Sequence, residues 1–349
     1  ASRSATTGKP DNSFGLEVGL VTYELDLFGK NRSLKESALE QYLSAAETAN
    51  AARISLIAET VNAWASLAAD KEMLQLALNM AESAKISMEL TRKRYELGVT
   101  SILDVYQAET VYQEARADAS NYTTLVEQDL NALELLCGGI VATELLPENF
   151  EDSNSWFGTV SAGLSSSVLL NRPDVAAAEH TLLAGNADIG AARAAFFPSI
   201  SLVGAAGYAS SELNTLFSGG KWSFGGGINL PIFTGGRNKA NLEQAKHKYD
   251  AYIADYEKTI QTAFKEVADA LERKKTVGEQ IQAQQALADI SRKSYELSEA
   301  RYSTGVDGYL DVLISQRSYY GAEQALINIK LTDISNRITL YKALGGGQS

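Results

Sequence analysis

Three segments alternate apolar residues with small or polar ones. Phe14, Leu16, Val18 and Leu20 alternate with Gly15, Glu17, Gly19 and Val21. Ser199 to Ala209 places Ile200, Leu202, Ala206 and Tyr208 on one side. Trp222, Phe224, Gly226, Ile228, Leu230 and Ile232 alternate with Lys221, Ser223, Gly225, Gly227 and Asn229. A period of two predicts strands over about 14–28, 199–209 and 221–232. Pro198 opens the second and Pro231 closes the third, where proline is tolerated. An apolar face backed by a small or polar face suits a barrel wall between lipid and water. The same period also suits a half-buried sheet in a soluble protein.

The pattern then changes. Between Gly29 and Gly98 there is neither glycine nor proline, and Ala, Leu, Glu, Lys, Ser and Thr dominate. This predicts one helix over about 31–96, about 100 Å long at about 1.5 Å per residue. Such a helix cannot fold back on itself and needs partners along its length. Ala45, Ala46, Ala49 and Ala52 are small enough to let a partner helix come close. A second long helix is expected over about 237–303, with Gly278 marking a local bend. Shorter helices are expected over about 100–137, 173–195 and 307–344.

These elements are duplicated. One constant offset carries Gly29, Asn31, Glu36, Ala38 and Tyr42 onto Gly236, Asn238, Glu243, Ala245 and Tyr249. The same offset carries Glu59 onto Glu266, Tyr112 onto Tyr319 and Gly139 onto Gly346. A single shared register over this distance marks a duplication. The chain therefore divides into a first repeat (1–139), an equatorial connector (140–171) and a second repeat (172–349).

The most similar stretch is RYELGVTSILDV (94–105) against RYSTGVDGYLDV (301–312). Gly98 and Gly305 fall where a helix ends, the usual place for a left-handed residue. Thr100 and Asp307 read as N-caps of the returning helix. Asp104 and Asp311 then lie in its first turn, where an acid is favoured by about 0.3–1 kcal/mol beside the helix dipole. Each copy is thus a helical hairpin turned at its glycine.

Bulk properties narrow the functions. A net charge of −12 argues against a nucleic-acid surface. The single cysteine, Cys137, excludes an intrachain disulfide and reads as a small apolar residue in LELLCGG. His180 and His247 are far apart and read as helix-face residues, not metal ligands. No run approaches the ~18 apolar residues of a spanning helix. The opening ASRSATTGKPDNS is polar, carries no signal peptide and reads as a loop within a larger protein. GGG at 225–227 and GG at 235–236 lack the Lys-Ser/Thr of a phosphate loop. No nucleophile, base and oxyanion constellation is visible, so neither an enzyme nor a cofactor is expected.

Strand, long helix, RYxxGVxxxLDV hinge and returning helix, twice over, resemble the TolC-like outer-membrane factors. LLNRPDVAAAEHTLLAGNADIGAARAAFFPSISL (169–202), YELDLFGK (23–30) and LPIFTGGR (230–237) resemble the branch serving resistance-nodulation-division (RND) multidrug efflux pumps. The resemblance implies a mainly helical fold with strands. It implies a homotrimer whose outer-membrane β-barrel, four strands from each subunit, continues into a periplasmic helical barrel. It implies a periplasmic adaptor (membrane fusion) protein, an inner-membrane RND pump and outer-membrane lipid as partners. By analogy with the second repeat, a helix and a strand would precede the first, and this branch often carries an N-terminal lipid-attachment cysteine.

In the family, hairpin tips close the tunnel like an iris. The matching positions are Leu103, Asp104, Leu310 and Asp311, with Tyr95, Tyr302 and Arg317 as tethers. Three copies of each would give a leucine constriction and a carboxylate ring that favours cations. The position three after Asp311 is Ile314, where relatives often have an acid. Two rival readings are an export conduit for proteins on the same fold and a non-pore, elongated coiled-coil protein.

Overall fold

The computed structural model describes residues 14–150, 169 and 171–346, together with the short strands at 2–3 and 10–11. Two short strands, β1 (Ser2–Arg3) and β2 (Pro10–Asp11), pair antiparallel. The polar opening was expected to be loop; two-residue strands leave no hydrophobic period to read. The remainder of that opening lies outside the described residues, as do 151–168 and 170 of the connector.

Three longer strands form one antiparallel sheet. They are β3 (Phe14–Leu25), β4 (Ser199–Ser210) and β5 (Gly220–Asn229), in the order β3-β4-β5. Residues directly opposite in antiparallel strands share a face. The register sets Leu16 opposite Tyr208, Val18 opposite Ala206, Ile200 opposite Ile228, and Ala206 opposite Trp222. The apolar positions of all three strands therefore share one face. The register shifts between Leu20 and Tyr23. One extra residue there returns Tyr23 and Leu25 to the apolar face, which strict alternation would have left on the other.

Two strand ends differ from expectation. β3 stops at Leu25, not about 28, because the Asp26 carboxylate turns back. It accepts from the amides of Asn31 (3.1 Å) and Arg32 (2.8 Å) at the start of the first long helix. β5 stops at Asn229, not 232, because Pro231 has no N–H to give to a ladder.

The helices are α1 (Lys30–Glu96), α2 (Ile102–Cys137), α3 (Pro173–Ala194), α4 (Arg237–Ser303) and α5 (Tyr309–Ala343). α1 and α4 each run 67 residues, and α4 passes Gly278 without a break. By contacts the chain forms two units, residues 1–47 with 176–259 and residues 48–175 with 260–349. Each unit draws on both repeats.

The first unit holds the sheet, most of α3 and the first turns of α1 and α4. α3 lies close against both long helices. A Cβ on Gly185 would sit 2.6 Å from the Tyr252 ring, and one on Gly190 would sit 2.8 Å from the Ser33 hydroxyl. His180 Nδ1 lies 2.6 Å from Glu40 Oε2, so this histidine ties α3 to α1. Every residue of β5 is exposed in the single chain, Trp222 at 82%. A soluble sheet would cover that apolar face; here it is bare.

The second unit is a helical body. Ala58, Ala65, Ala68, Ala69 and Met73 of α1 pack with Ile327, Ile334 and Ile338 of α5. The small residues that permit this close packing lie further along α1 than expected. Ala45, Ala46, Ala49 and Ala52 are exposed. Cys137 ends α2 and is also exposed, so the apolar reading of its neighbourhood fails where the helix stops. Arg172 is buried and binds three elements. It bonds Asp174 (2.6 Å), Glu266 of α4 (2.8 Å) and the Ala343 carbonyl of α5 (3.1 Å). Residues 140–150 follow α1, where Lys71 donates to the Pro147 carbonyl (3.0 Å) and Glu72 accepts from the Phe150 amide (2.9 Å).

Candidate functional site at the hairpin tips

Both hairpins turn with the same backbone device. Gly98 has φ 73° and Gly305 has φ 77°, values that side chains disfavour. The Gly98 amide donates to the Tyr95 carbonyl and the Val99 amide to the Arg94 carbonyl, each at 2.8 Å. The Gly305 and Val306 amides repeat this on Tyr302 and Arg301, each at 2.9 Å. This paired arrangement satisfies carbonyls that a helix end would leave free. It explains why arginine-tyrosine and glycine-valine recur at one spacing.

The two returning helices then start differently. In the first hairpin Ser101, not Thr100, is the N-cap. The Asp104 amide donates to the Ser101 hydroxyl (3.2 Å), while the Asp104 carboxylate accepts from the Ser101 amide (3.1 Å) and from the Thr100 hydroxyl. The Thr100 hydrogen bond holds the Asp104 pKa below its usual value; slight burial opposes it and the two Ser101 bonds add to it. Asp104 is therefore committed to a capping box.

In the second hairpin the matching residues are Asp307 and Gly308. Gly308, not Asp307, is the N-cap and offers no side chain. Asp307 instead forms a two-point ion pair with Arg301, one bond at 2.8 Å. The Arg301 hydrogen bond is the main reason that the Asp307 pKa is lowered. Asp311 has neither a serine nor a threonine to cap. It stands exposed in the first turn of α5.

The duplicated tyrosines also diverge. Tyr302 is buried, 3% exposed, whereas Tyr95 is 44% exposed. The Arg94 guanidinium lies over the Tyr302 ring, 4.5 Å from its centroid, and donates to the Tyr302 carbonyl. The Tyr302 hydroxyl is 2.9 Å from the hydroxyl of Thr91, and its ring meets Tyr309 edge-on at 5.5 Å. Burial pushes the Tyr309 phenol up to about 12. Further from the tip, Arg317 reaches Glu114 (3.4 Å) and Tyr320 donates to Asp118 (3.0 Å). Tyr302 and Arg317 thus each bridge the two hairpins. Leu103 and Leu310 are exposed just inside α2 and α5, beside exposed Val99, Val306 and Ile314.

Sequence reasoning missed Arg94, Ser101 and the Arg301–Asp307 pair. The Ser-x-x-Asp spacing at 101–104 signals a capping box, and its loss at Gly308 was readable from the repeat. Arg301 has an acid six residues on, Asp307, where Arg94 has Thr100, but nothing local points Arg94 to its own partner, Tyr302 of α4.

The chain thus combines a three-stranded antiparallel sheet with a bare apolar face and two long helical hairpins. Residues 1–139 and 164–346 match the family described as outer membrane efflux protein. The chain belongs to that family. It is 47% identical over 329 residues to the toluene efflux pump outer membrane protein TtgF of Pseudomonas putida, covering 94% of this chain and 68% of TtgF. It is 42% identical over 338 residues to the outer membrane protein OprJ of Pseudomonas aeruginosa, covering 96% of this chain and 71% of OprJ. The structure of the open state of the Neisseria gonorrhoeae MtrE outer membrane channel superposes with TM-score 0.87 at 40% identity, over 99% of this chain and 78% of MtrE. The protein is an outer-membrane efflux component, not a soluble coiled coil. The relatives support efflux over protein export.

Proposed function

We propose that three copies of the protein form a passive channel, carrying no chemistry, that receives small apolar or drug-like substrates from an inner-membrane RND pump through a periplasmic adaptor. The bare apolar face of the sheet supports contact with outer-membrane lipid. The tips of the hairpins are the proposed gate.

One observation carries the gate assignment: the duplicated acids are not equivalent. Asp104 is tied into a capping box, whereas Asp311 is exposed, has no capping box and has only the Arg301 charge near it. Leu310 and Asp311 are therefore the proposed constriction, the leucine supplying an apolar ring and the aspartate a ring of charge. Leu103 flanks it, and Asp104 holds the start of α2. Tyr302, Arg94 and Arg317 are tethers between hairpins, while Tyr95 is an exposed tip residue. Gly98 and Gly305 turn the tips and present them to the adaptor.

The test is accumulation of a fluorescent cationic dye in cells lacking the gene, complemented with the full-length protein. Complementation should lower accumulation, and Leu310→Trp, which fills the constriction, should abolish that effect. Equal accumulation with and without the wild-type protein, once it is shown to be in the outer membrane, would overturn the assignment.

A further inference from the structure

The first hairpin holds a pair of acids that the channel reading does not use. Asp70 of α1 and Asp129 of α2 are half-buried and close enough to hydrogen-bond one another. Asp129 Oδ2 is inaccessible to solvent and has no partner as an ionised oxygen. Among the described residues, neither acid makes an ion pair with a lysine or arginine. Two carboxylates facing each other without a cation cannot both stay ionised cheaply.

The surroundings do not relieve this. Lys71, next to Asp70 on α1, is directed to the Pro147 carbonyl. Glu72 accepts from the Phe150 amide. On α2 the nearby titratable groups are Tyr122 and Asp118. On α5 the titratable group is Tyr320, which donates to Asp118; the neutral Gln324 places its amide 3.5 Å from the Tyr122 hydroxyl. Burial raises the Tyr122 pKa, and the charges of Asp118 and Asp70 raise it further. Every one of these side chains near the pair, apart from Lys71, is neutral or negative.

The duplication supplies an internal control. The offset that carries Gly98 onto Gly305 carries Asp70 onto Val277 and Asp129 onto Asn336. Val277 is buried, and Asn336 donates its amide to the Ala270 carbonyl of α4 at 3.0 Å. The second hairpin thus fills the same place with an apolar residue and a hydrogen-bond donor. A carboxyl can act as a donor at that place only when it carries a proton.

We infer that Asp70 and Asp129 share one proton between α1 and α2, so that the first hairpin, unlike the second, is loosened when the pair loses it. Burial, and then the Asp129 charge and hydrogen bond, push Asp70 up to about 6; burial also raises Asp129. The two titrate as a pair. Folded pKa values above the unfolded value mean that the fold binds more protons, so stability falls as pH rises from about 4 to about 6. The periplasm-exposed helices of an outer-membrane protein experience external pH, so the pair would respond to acid outside the cell.

The experiment uses the full-length protein purified in detergent. Infrared spectroscopy follows the protonated-carboxyl band of the wild type, Asp70→Asn and Asp129→Asn between pH 4 and 8. The double variant Asp70→Val with Asp129→Asn rebuilds the second hairpin's pair. The wild type should show a band that titrates near pH 6 and is absent from the double variant. The melting temperature of the double variant should exceed that of the wild type at pH 8, with the gap closing by pH 4. A wild-type band that titrates only near pH 4, or a melting gap of equal size at all pH values, would overturn the proposal. Since the band is read on the wild type, a variant that fails to fold does not shield the idea.

Discussion

Arg94→Ala tests whether the hairpins are latched to one another. The guanidinium donates to the Tyr302 carbonyl and lies 4.5 Å from the centroid of its ring. A hydrogen bond from a charged donor is worth about 1.5–3 kcal/mol. A cation–π contact at a half-exposed site adds about 0.5–1 kcal/mol. Both contacts use one guanidinium and do not add fully, and release returns about 1–2 kcal/mol of side-chain entropy. The net is about 1–2 kcal/mol, or roughly a 5- to 30-fold shift in the equilibrium between closed and open tips. Open probability in single-channel recordings from planar bilayers reads this directly. Arg94→Ala should raise it by roughly that factor, and Arg94→Lys, which keeps the charge but loses the planar fork, should fall between. An open probability within about threefold of wild type, from protein with an unchanged melting temperature, would refute the latch.

Three further outcomes are expected. Arg172→Met leaves the Asp174 and Glu266 carboxylates, each 40% exposed, without their cation. The loss should be about 2–3 kcal/mol, below the ~3–5 kcal/mol of a fully buried pair, read as a lower denaturant midpoint. Ser101→Ala should weaken the start of α2 and reduce amide-exchange protection there, whereas Gly308→Ala removes no side-chain bond and sits at φ −81°, which alanine adopts freely, so its effect on α5 should be the smaller. Because the Asp104 pKa is lowered, first by the Thr100 hydrogen bond, its contribution is present above about pH 4 and lost as pH falls below it, so wild type and Thr100→Val should converge in acid. Trp222→Arg places a charge on the bare apolar face and should cost up to about 2–4 kcal/mol if that site is near mid-bilayer, read as failure to accumulate heat-resistant assemblies in the outer membrane.

Much of the architecture is legible in periodicity alone. The glycine- and proline-free run after Gly29 forms a helix from Lys30 to Glu96, because nothing in it interrupts the hydrogen-bond ladder. The strands are visible in their period of two, but their ends are not. Leu25 is the end of β3 because Asp26 caps α1, a contact made only once the chain has turned. The site is less legible. Asp104 and Asp311 share only the triplet Leu-Asp-Val, and the residues just before it, Thr100 and Ser101 in one copy and Asp307 and Gly308 in the other, give them opposite fates. Tyr95 and Tyr302 are identical in sequence, and only the packing of one hairpin on the other buries Tyr302. Arg94 escaped notice for the same reason, since its partner lies on α4.

The most direct test of the account is single-channel conductance and ion selectivity of the full-length protein, compared with Asp104→Asn and Asp311→Asn. A small, cation-selective conductance is expected. Asp311→Asn should enlarge it or erase its selectivity, and Asp104→Asn should leave selectivity unchanged. The reverse order of effects, or no conductance from folded, assembled protein in any of the three forms, would contradict a gate built on the exposed aspartate of the second hairpin.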